Sequence, residues 1–76
     1  EQGNIIRLED QIIITSSIYG EMKDKIINFL KKRQSITIGQ VRDLLHISRK
    51  YIVPLLTRMD EESITIRKGN ERFLRK

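Results

Sequence analysis

The segment SRKY, residues 48–51, combines the residue types that bind an anion at the start of a helix. Ser48 is a favoured N-cap residue, and the backbone N–H groups that follow a cap have no partner inside the helix. Arg49 and Lys50 add positive charge beside the positive end of the helix dipole. Without a ligand this opposes the dipole by about 0.3–1 kcal/mol per charge at an exposed site. A bound anion would be attracted both by these cations and by the helix dipole, so the arrangement becomes favourable. We therefore predict a phosphate-binding site at this turn.

Positive charge is concentrated toward one end of the chain, which has a net charge of +5. Residues 1–45 carry seven Lys/Arg against six Asp/Glu, whereas residues 46–76 carry eight against four. Residues 63–76 contain five Lys/Arg, and Glu71 is their only acidic residue. This concentration is typical of a phosphate-binding surface. The alternative is a solvated surface that keeps a small domain soluble.

Composition excludes several classes of function. Seventy-six residues allow one domain with a single small core. The chain has no cysteine, and its one histidine, His46, cannot form a metal site alone. No apolar run is long enough to span a bilayer, no signal peptide opens the chain, and no nucleophile–base pair is evident. We expect a monomeric cytoplasmic binding module without catalytic residues, cofactor, metal or membrane partner. Because it begins with Glu1 rather than methionine, we expect a fragment of a larger protein.

The first half of the chain predicts a hairpin and a helix. NIIRLEDQIIITSS reads as two extended segments joined at Glu9–Asp10. Apolar residues at helical spacing then predict a helix from about Ile18 to Arg33, with Ser17 as its N-cap.

The next segment predicts a helix-turn-helix. Ile36 favours a brief strand, and Thr37 with Gln40 fits a capping box that opens a short helix. A turn at His46–Ile47 separates it from a helix over residues 48 to about 62. Two short helices joined by a tight turn form a helix-turn-helix.

The chain ends in a predicted hairpin. Ile64 and Ile66 alternate with polar residues, and Gly69–Asn70 supplies a two-residue turn with glycine where φ must be positive. A helix-turn-helix followed by a hairpin predicts an α+β winged-helix fold with three helices and a small antiparallel sheet. The whole chain, residues 1–76, is expected to be one such domain. The wing carries polar and basic residues: Arg67, Lys68, Gly69, Asn70 and Arg72.

The third predicted helix is equipped for contact only at its first turn. A helix that reads duplex DNA needs base-contacting side chains over several turns. Here the outward face continues with Val53 and ends in Asp60, Glu61 and Glu62, which would repel phosphate. Helix tip and wing therefore form two basic prongs, which suit the curved backbone of a folded RNA hairpin.

Three features of this helix leave alternatives open. Arg49 or Lys50 either contacts phosphate or pairs with Asp43. Tyr51 either stacks on an unpaired base or packs as a lid, and the lack of another aromatic residue nearby favours packing. Pro54 removes the N–H that would bond the Lys50 carbonyl, so it either tilts the first turn outward or is tolerated without consequence.

Two segments resemble a known family. ISRKYIVPLLTRMD followed by ITIRKGNERFL is similar to the last winged-helix domain of the bacterial selenocysteine-specific elongation factor (SelB), and VRDLL fits the preceding segment. The resemblance covers roughly Ile36 to Leu74, and His46 stands where a glycine is usual. The matching positions are Ser48, Arg49, Lys50, Tyr51, Pro54, Leu55, Leu56, Asp60, Arg67, Gly69 and Arg72.

The resemblance implies a module that binds the selenocysteine insertion (SECIS) hairpin of an mRNA. Ser48 and Arg49 would contact the RNA backbone, and Arg67, Lys68 and Arg72 would hold the loop, with Gly69 and Asn70 allowing close approach. The complete family protein is a translation GTPase that carries selenocysteinyl-tRNA to the ribosome. This chain has no P-loop sequence, so GTP binding would belong to other parts of such a protein.

Two rival functions share the predicted fold. One is a winged-helix transcriptional regulator that binds duplex DNA. The other is a protein–protein interaction module, which would be insensitive to salt where a phosphate-binding module is not.

Overall fold

The computed structural model describes residues 5–9 and 12–75. Asp10, at the predicted joint of the first hairpin, lies outside the described residues. None of the helices described is long and apolar enough to cross a membrane. The elements follow in the order β1 Ile5–Glu9, β2 Ile12–Thr15, α1 Ser16–Arg33, β3 Ser35–Thr37, α2 Ile38–Leu45, α3 Arg49–Glu61, β4 Thr65–Lys68 and β5 Glu71–Leu74.

The strands form two antiparallel sheets. β1 pairs with β2, and a second sheet has the order β3-β5-β4, so the short strand before α2 closes against the wing. Gly69, in the turn between β4 and β5, has a φ of 63°. Both predicted hairpins, the brief strand at Ile36 and the α+β winged-helix fold are confirmed.

The helix boundaries follow local capping. The predicted Ser17 cap is wrong, because Thr15 accepts the N–H of Ile18 at 3.1 Å and α1 begins at Ser16. The capping box of α2 is confirmed, since Thr37 Oγ1 accepts the Gln40 N–H at 3.2 Å and Gln40 Oε1 accepts the Thr37 N–H at 2.9 Å. These caps set where α1 and α2 start.

The ends of α2 and α3 depend on left-handed residues that are not glycine. His46 closes α2 with a φ of 59°, which resolves how the turn forms without glycine. Ser63 has a φ of 62°, its N–H donates to the Asp60 carbonyl, and the Ile64 N–H donates to the Met59 carbonyl. This pair of bonds is a Schellman motif. It turns the chain directly from α3 into β4.

The core lies where the three helices meet the second sheet. α3 contributes four of its nine residues and α1 three, while β3 and α2 contribute one each. Pro54 is buried, and α3 continues through it unbroken from Arg49 to Glu61. An outward tilt of the first turn stays a prediction. The buried hydrophobic cluster consists of Tyr19, Ile26, Leu30, Ile36, Val41, Ile52, Leu55, Leu56 and Met59.

Substituting Ile52→Ala should lower the free energy of unfolding by about 2–5 kcal/mol, because it opens a cavity at a fully buried position. Urea denaturation measures the change. Val53→Ala on the same helix is the control, because Val53 is exposed and its loss should change stability by about 0.5 kcal/mol or less. Equal effects of the two substitutions would contradict this description of the core.

Candidate nucleic-acid interface

The first turn of α3 presents free polar groups. Ser48 is the N-cap residue, as predicted, and its carbonyl accepts the N–H groups of Tyr51 at 3.0 Å and Ile52 at 3.2 Å. Its hydroxyl makes no capping hydrogen bond within the described part of the chain, contrary to the expectation that the side chain caps the helix. Ser48 is exposed, and neither its hydroxyl nor the first N–H groups of α3 are taken up by a side-chain cap, so both can bind a ligand.

The two cations of this turn are not neutralised by neighbouring acids. Arg49 and Lys50 are exposed, and neither forms a salt bridge with a carboxylate in residues 5–9 or 12–75. The alternative pairing with Asp43 is thus absent from the described structure. Lys50 Nζ lies 5.7 Å from the centre of the Tyr51 ring, within the range of a cation–π contact. The turn carries unpaired positive charge.

Tyr51 lies at the surface of the α3 tip. The residue is 42% exposed, so it is not buried, and the choice between packing and stacking stays a prediction. The reason for its exposure is positional: the neighbouring Ile52 fills the buried face of α3, and Tyr51 lies off that face. The exposed part of the ring lies beside Lys50, where it is accessible to a ligand.

The wing supplies the second basic group. Arg67, Lys68, Gly69 and Asn70 are all exposed. Arg67 Nε donates to the Gly69 carbonyl at 3.1 Å, so part of the guanidinium stiffens the turn while the rest remains available. Lys68 Nζ lies 5.5 Å from the centre of the Phe73 ring. The turn itself is narrow and polar, as close approach to a ligand requires.

Arg72 is not part of this surface, contrary to the prediction. It is 5% exposed, and its guanidinium donates to the Asp60 carboxylate from Nη2 at 3.0 Å and from Nε at 3.1 Å. The buried Thr65 hydroxyl donates to the other oxygen of the same carboxylate. We call Asp60, Thr65 and Arg72 the wing clamp. Its cation is used inside the domain, so Arg72 has a structural role.

Strand register explains the misplacement of Arg72. Thr65 pairs with Leu74 and Arg72 with Ile36, and directly paired residues share a face. The face that contains Thr65 and Arg72 therefore points inward, while Ile66 pairs with Phe73 on the other face. Arg67 pairs with Arg72 and shares its face, but it lies nearer the turn and is exposed. The alternation of apolar and polar residues along β4 instead predicts that Ile66, and not Thr65, lies on the inward face. Only the acid at the end of α3 hints at a buried cationic partner.

The acidic end of α3 is largely neutralised within the domain. Glu62 accepts a hydrogen bond from the Tyr19 hydroxyl at 2.8 Å and pairs with Arg58 at 2.8 Å, while Lys23 lies 4.0 Å away. Burial and then the hydrogen bond to Glu62 raise the pKa of Tyr19. The hydrogen bond to Glu62 also raises the pKa of Arg58. With Asp60 in the wing clamp, the predicted acidic repulsion reduces mainly to Glu61.

The described residues do not form a metal centre. No group of three or more His, Cys, Asp or Glu side chains in this part of the structure could hold a metal ion. The exposed chemistry is instead positive charge at the α3 tip (Ser48, Arg49, Lys50 and Tyr51) and at the wing tip (Arg67, Lys68, Gly69 and Asn70). Such groups suit a polyanion.

Fold and site together define a winged-helix domain with a basic helix tip and a basic wing. Comparison with known families gives a more specific result: residues 28–74 match the family described as "Elongation factor SelB, winged helix". The chain belongs to this family of SelB winged-helix domains, which confirms the resemblance.

Individual relatives agree with the family match. The chain is 29% identical over all its 76 residues to a selenocysteine-specific elongation factor of Desulfomicrobium baculatum, of which it spans only 12%. It is similar to the mRNA-binding domain of elongation factor SelB from E. coli, solved in complex with SECIS RNA, with a TM-score of 0.87 and 25% identity. That likeness covers 99% of this chain and 62% of the other. A crystal structure of a bacterial selenocysteine-specific elongation factor, EF-Sec, gives a TM-score of 0.84 at 25% identity, over 96% of this chain and 12% of the other.

Substituting Arg72→Ala should lower the free energy of unfolding by about 3 kcal/mol, because it leaves the Asp60 carboxylate without its cation in a largely buried position. Thermal melting and urea denaturation measure the loss. Arg67→Ala is the matched control, since this arginine is exposed in the same hairpin and should cost about 0.5 kcal/mol or less. An unchanged melting temperature for Arg72→Ala would contradict this structural role, and Arg72 would again be a candidate RNA contact.

Glu62 should make stability depend on pH in the acid range. Burial opposes ionisation, but the hydrogen bonds from Tyr19 and Arg58 hold the pKa of Glu62 below its ordinary value of 4.5. A depressed folded-state pKa gives stability that is present above the unfolded pKa and is lost as pH falls through the folded pKa. The stability difference between the unsubstituted chain and Glu62→Gln should therefore be largest near neutral pH and shrink below pH 4.5.

Urea denaturation at several pH values tests this expectation. Glu61→Gln serves as the control, because Glu61 is an exposed neighbour at the end of the same helix. Its effect should be small throughout. A Glu62→Gln difference that stays constant from neutral to acid pH would rule out the assigned role of the carboxylate.

Proposed function

We propose that this domain is a non-catalytic RNA-binding module that recognises the SECIS hairpin of an mRNA through the α3 tip and the wing tip. The observation that carries the proposal is the pair of exposed cationic tips whose charges no described carboxylate neutralises. The structural likeness to a SelB mRNA-binding domain in complex with SECIS RNA supports the choice of ligand.

The arrangement favours an RNA hairpin over a DNA duplex. At the α3 tip, Ser48 and the following N–H groups can bind phosphate oxygens, and Arg49 and Lys50 add charge. Beyond this turn the exposed face continues with the apolar Val53, which offers no hydrogen bonds to base edges. The ring of Tyr51 can stack on a base that is splayed out of a loop. Splayed bases next to a curved backbone are a property of RNA loops.

The domain would act as a recruiting module within a larger translation factor. It spans about an eighth of the relative from D. baculatum, so the activity of the whole protein is a proposal. In that proposal, GTP, selenocysteinyl-tRNA and the ribosome bind other parts of the protein, and the protein works in the cytoplasm. This domain contributes the selection of the message.

Substituting Arg49→Ala should weaken binding of the SECIS hairpin by about 1–3 kcal/mol, because it removes a charged contact to the RNA. The melting temperature should remain nearly unchanged, since the side chain is exposed. Fluorescence anisotropy with a minimal hairpin from the matching messenger measures affinity. Arg33→Ala, an exposed arginine at the far end of α1, is the control and should bind as the unsubstituted domain does.

Two further measurements separate the rival functions. Equal affinity for the hairpin and for a DNA duplex of equal length would contradict the proposal and favour a transcriptional regulator. Affinity for RNA should fall steeply as salt rises, because bound phosphates release counterions. Binding that is insensitive to salt would contradict the proposal and favour a protein-interaction module.

A further inference from the structure

The wing clamp lies where α3 meets the wing. Asp60 is in the last turn of α3, Thr65 is the first residue of β4, and Arg72 lies in β5. One carboxylate therefore contacts both strands of the hairpin, with the Arg72 side chain 6% exposed and the Asp60 side chain 25% exposed. α3 begins at Arg49, eleven residues before Asp60, which is about 16 Å along a helix. The wing clamp and the α3 tip therefore lie at opposite ends of α3.

We propose that Asp60 is a positioning residue for RNA binding, which acts through Thr65 and Arg72 to hold the wing at a fixed place relative to the α3 tip. This inference rests on the proposed function. Asp60 itself contacts no RNA in this arrangement, because its carboxylate is occupied by two internal donors. Its contribution is to make the wing contact available at the moment the tip binds.

The physical basis is preorganisation. A second contact that is held in place adds its full effect to the first, whereas a contact that must first be ordered loses part of its effect. The wing can persist without the clamp, because β5 is hydrogen-bonded to β3 and to β4. Loss of Asp60 should therefore leave a folded hairpin whose direction relative to α3 is less defined. The wing contact should weaken, and the tip contact should not.

The decisive experiment is a pair of double-mutant cycles on the whole 76-residue domain. Lys68→Ala removes a wing cation and Arg49→Ala removes a tip cation, and each is combined with Asp60→Asn. Asn keeps the size of Asp60 but loses the charge that orients Arg72. Dissociation constants for the SECIS hairpin are measured at a temperature where melts show every variant to be folded. Such cycles isolate the interaction between two positions.

The inference predicts an asymmetric result. With Asp60 present, Lys68→Ala should weaken binding about tenfold, or about 1.4 kcal/mol. In the Asp60→Asn background the same substitution should weaken it less than about twofold, while the loss caused by Arg49→Ala should be the same in both backgrounds. An effect of Lys68→Ala that is equal in both backgrounds would overturn the inference. Equal shrinkage of the Lys68 and Arg49 effects would also overturn it, because that result indicates general destabilisation.

Thr65→Val provides a second variant for the case in which Asp60→Asn does not fold. It removes only the hydroxyl that donates to Asp60 and retains a side chain of similar shape. The Lys68→Ala effect should then shrink by a smaller factor, and an unchanged effect would count against positioning. If the unsubstituted domain fails to bind the hairpin, the proposed function itself is wrong and the inference falls with it.

Discussion

The ion pair between Asp60 and Arg72 joins α3 to the wing, and the proposed positioning of the wing depends on it. Both groups are largely removed from water, and such a pair contributes little net stability relative to an apolar pair, although the loss of one partner is costly. The effect of the ion pair is to orient the hairpin relative to α3. The fork of the arginine and the hydroxyl of Thr65 meet one carboxylate, so the hairpin is attached to α3 in one orientation. In the proposed role of Asp60, this attachment sets the position of the wing tip relative to the α3 tip.

The cations of the domain are divided by their surroundings. Arg72 and Arg58 have carboxylate partners that follow from the fold, and Lys23 lies at the edge of one of these pairs. Arg49, Lys50, Arg67 and Lys68 have no such partner among the described residues. The neutralised cations take part in contacts within the domain. The unneutralised cations include those of both tips, together with others such as Lys31, Lys32 and Arg33 at the end of α1. Net charge predicts a polyanionic partner in general terms, and we propose the tips as its site because the free N–H groups of the α3 start and the exposed turn at Gly69 adjoin their cations.

Two strained residues show how a small domain changes direction without glycine. His46 and Ser63 both take left-handed backbone conformations, which disfavour side chains because Cβ crowds the carbonyl. His46 directly follows α2, and Ser63 lies two residues after the end of α3; at each the chain turns toward the next element. The first positions α3 against α2, and the second brings β4 back toward α3. The family resemblance identified the first position as unusual, whereas no sequence pattern marked the second.

Local signals determined much of the fold from the sequence alone. The capping box at Thr37, the Gly69 turn and the helix-turn-helix depend on residues within a few positions of one another, so their chemistry can be read directly. The positive charge of Arg49 and Lys50 at the start of α3 is another feature that depends only on neighbouring residues. The roles of Arg72 and Glu62 were decided only by the tertiary structure, because their partners lie 12 and 43 residues away. The face on which Arg72 lies follows from strand register. A register set by a buried polar cluster cannot be inferred from apolar alternation, since the alternation then indicates the wrong face.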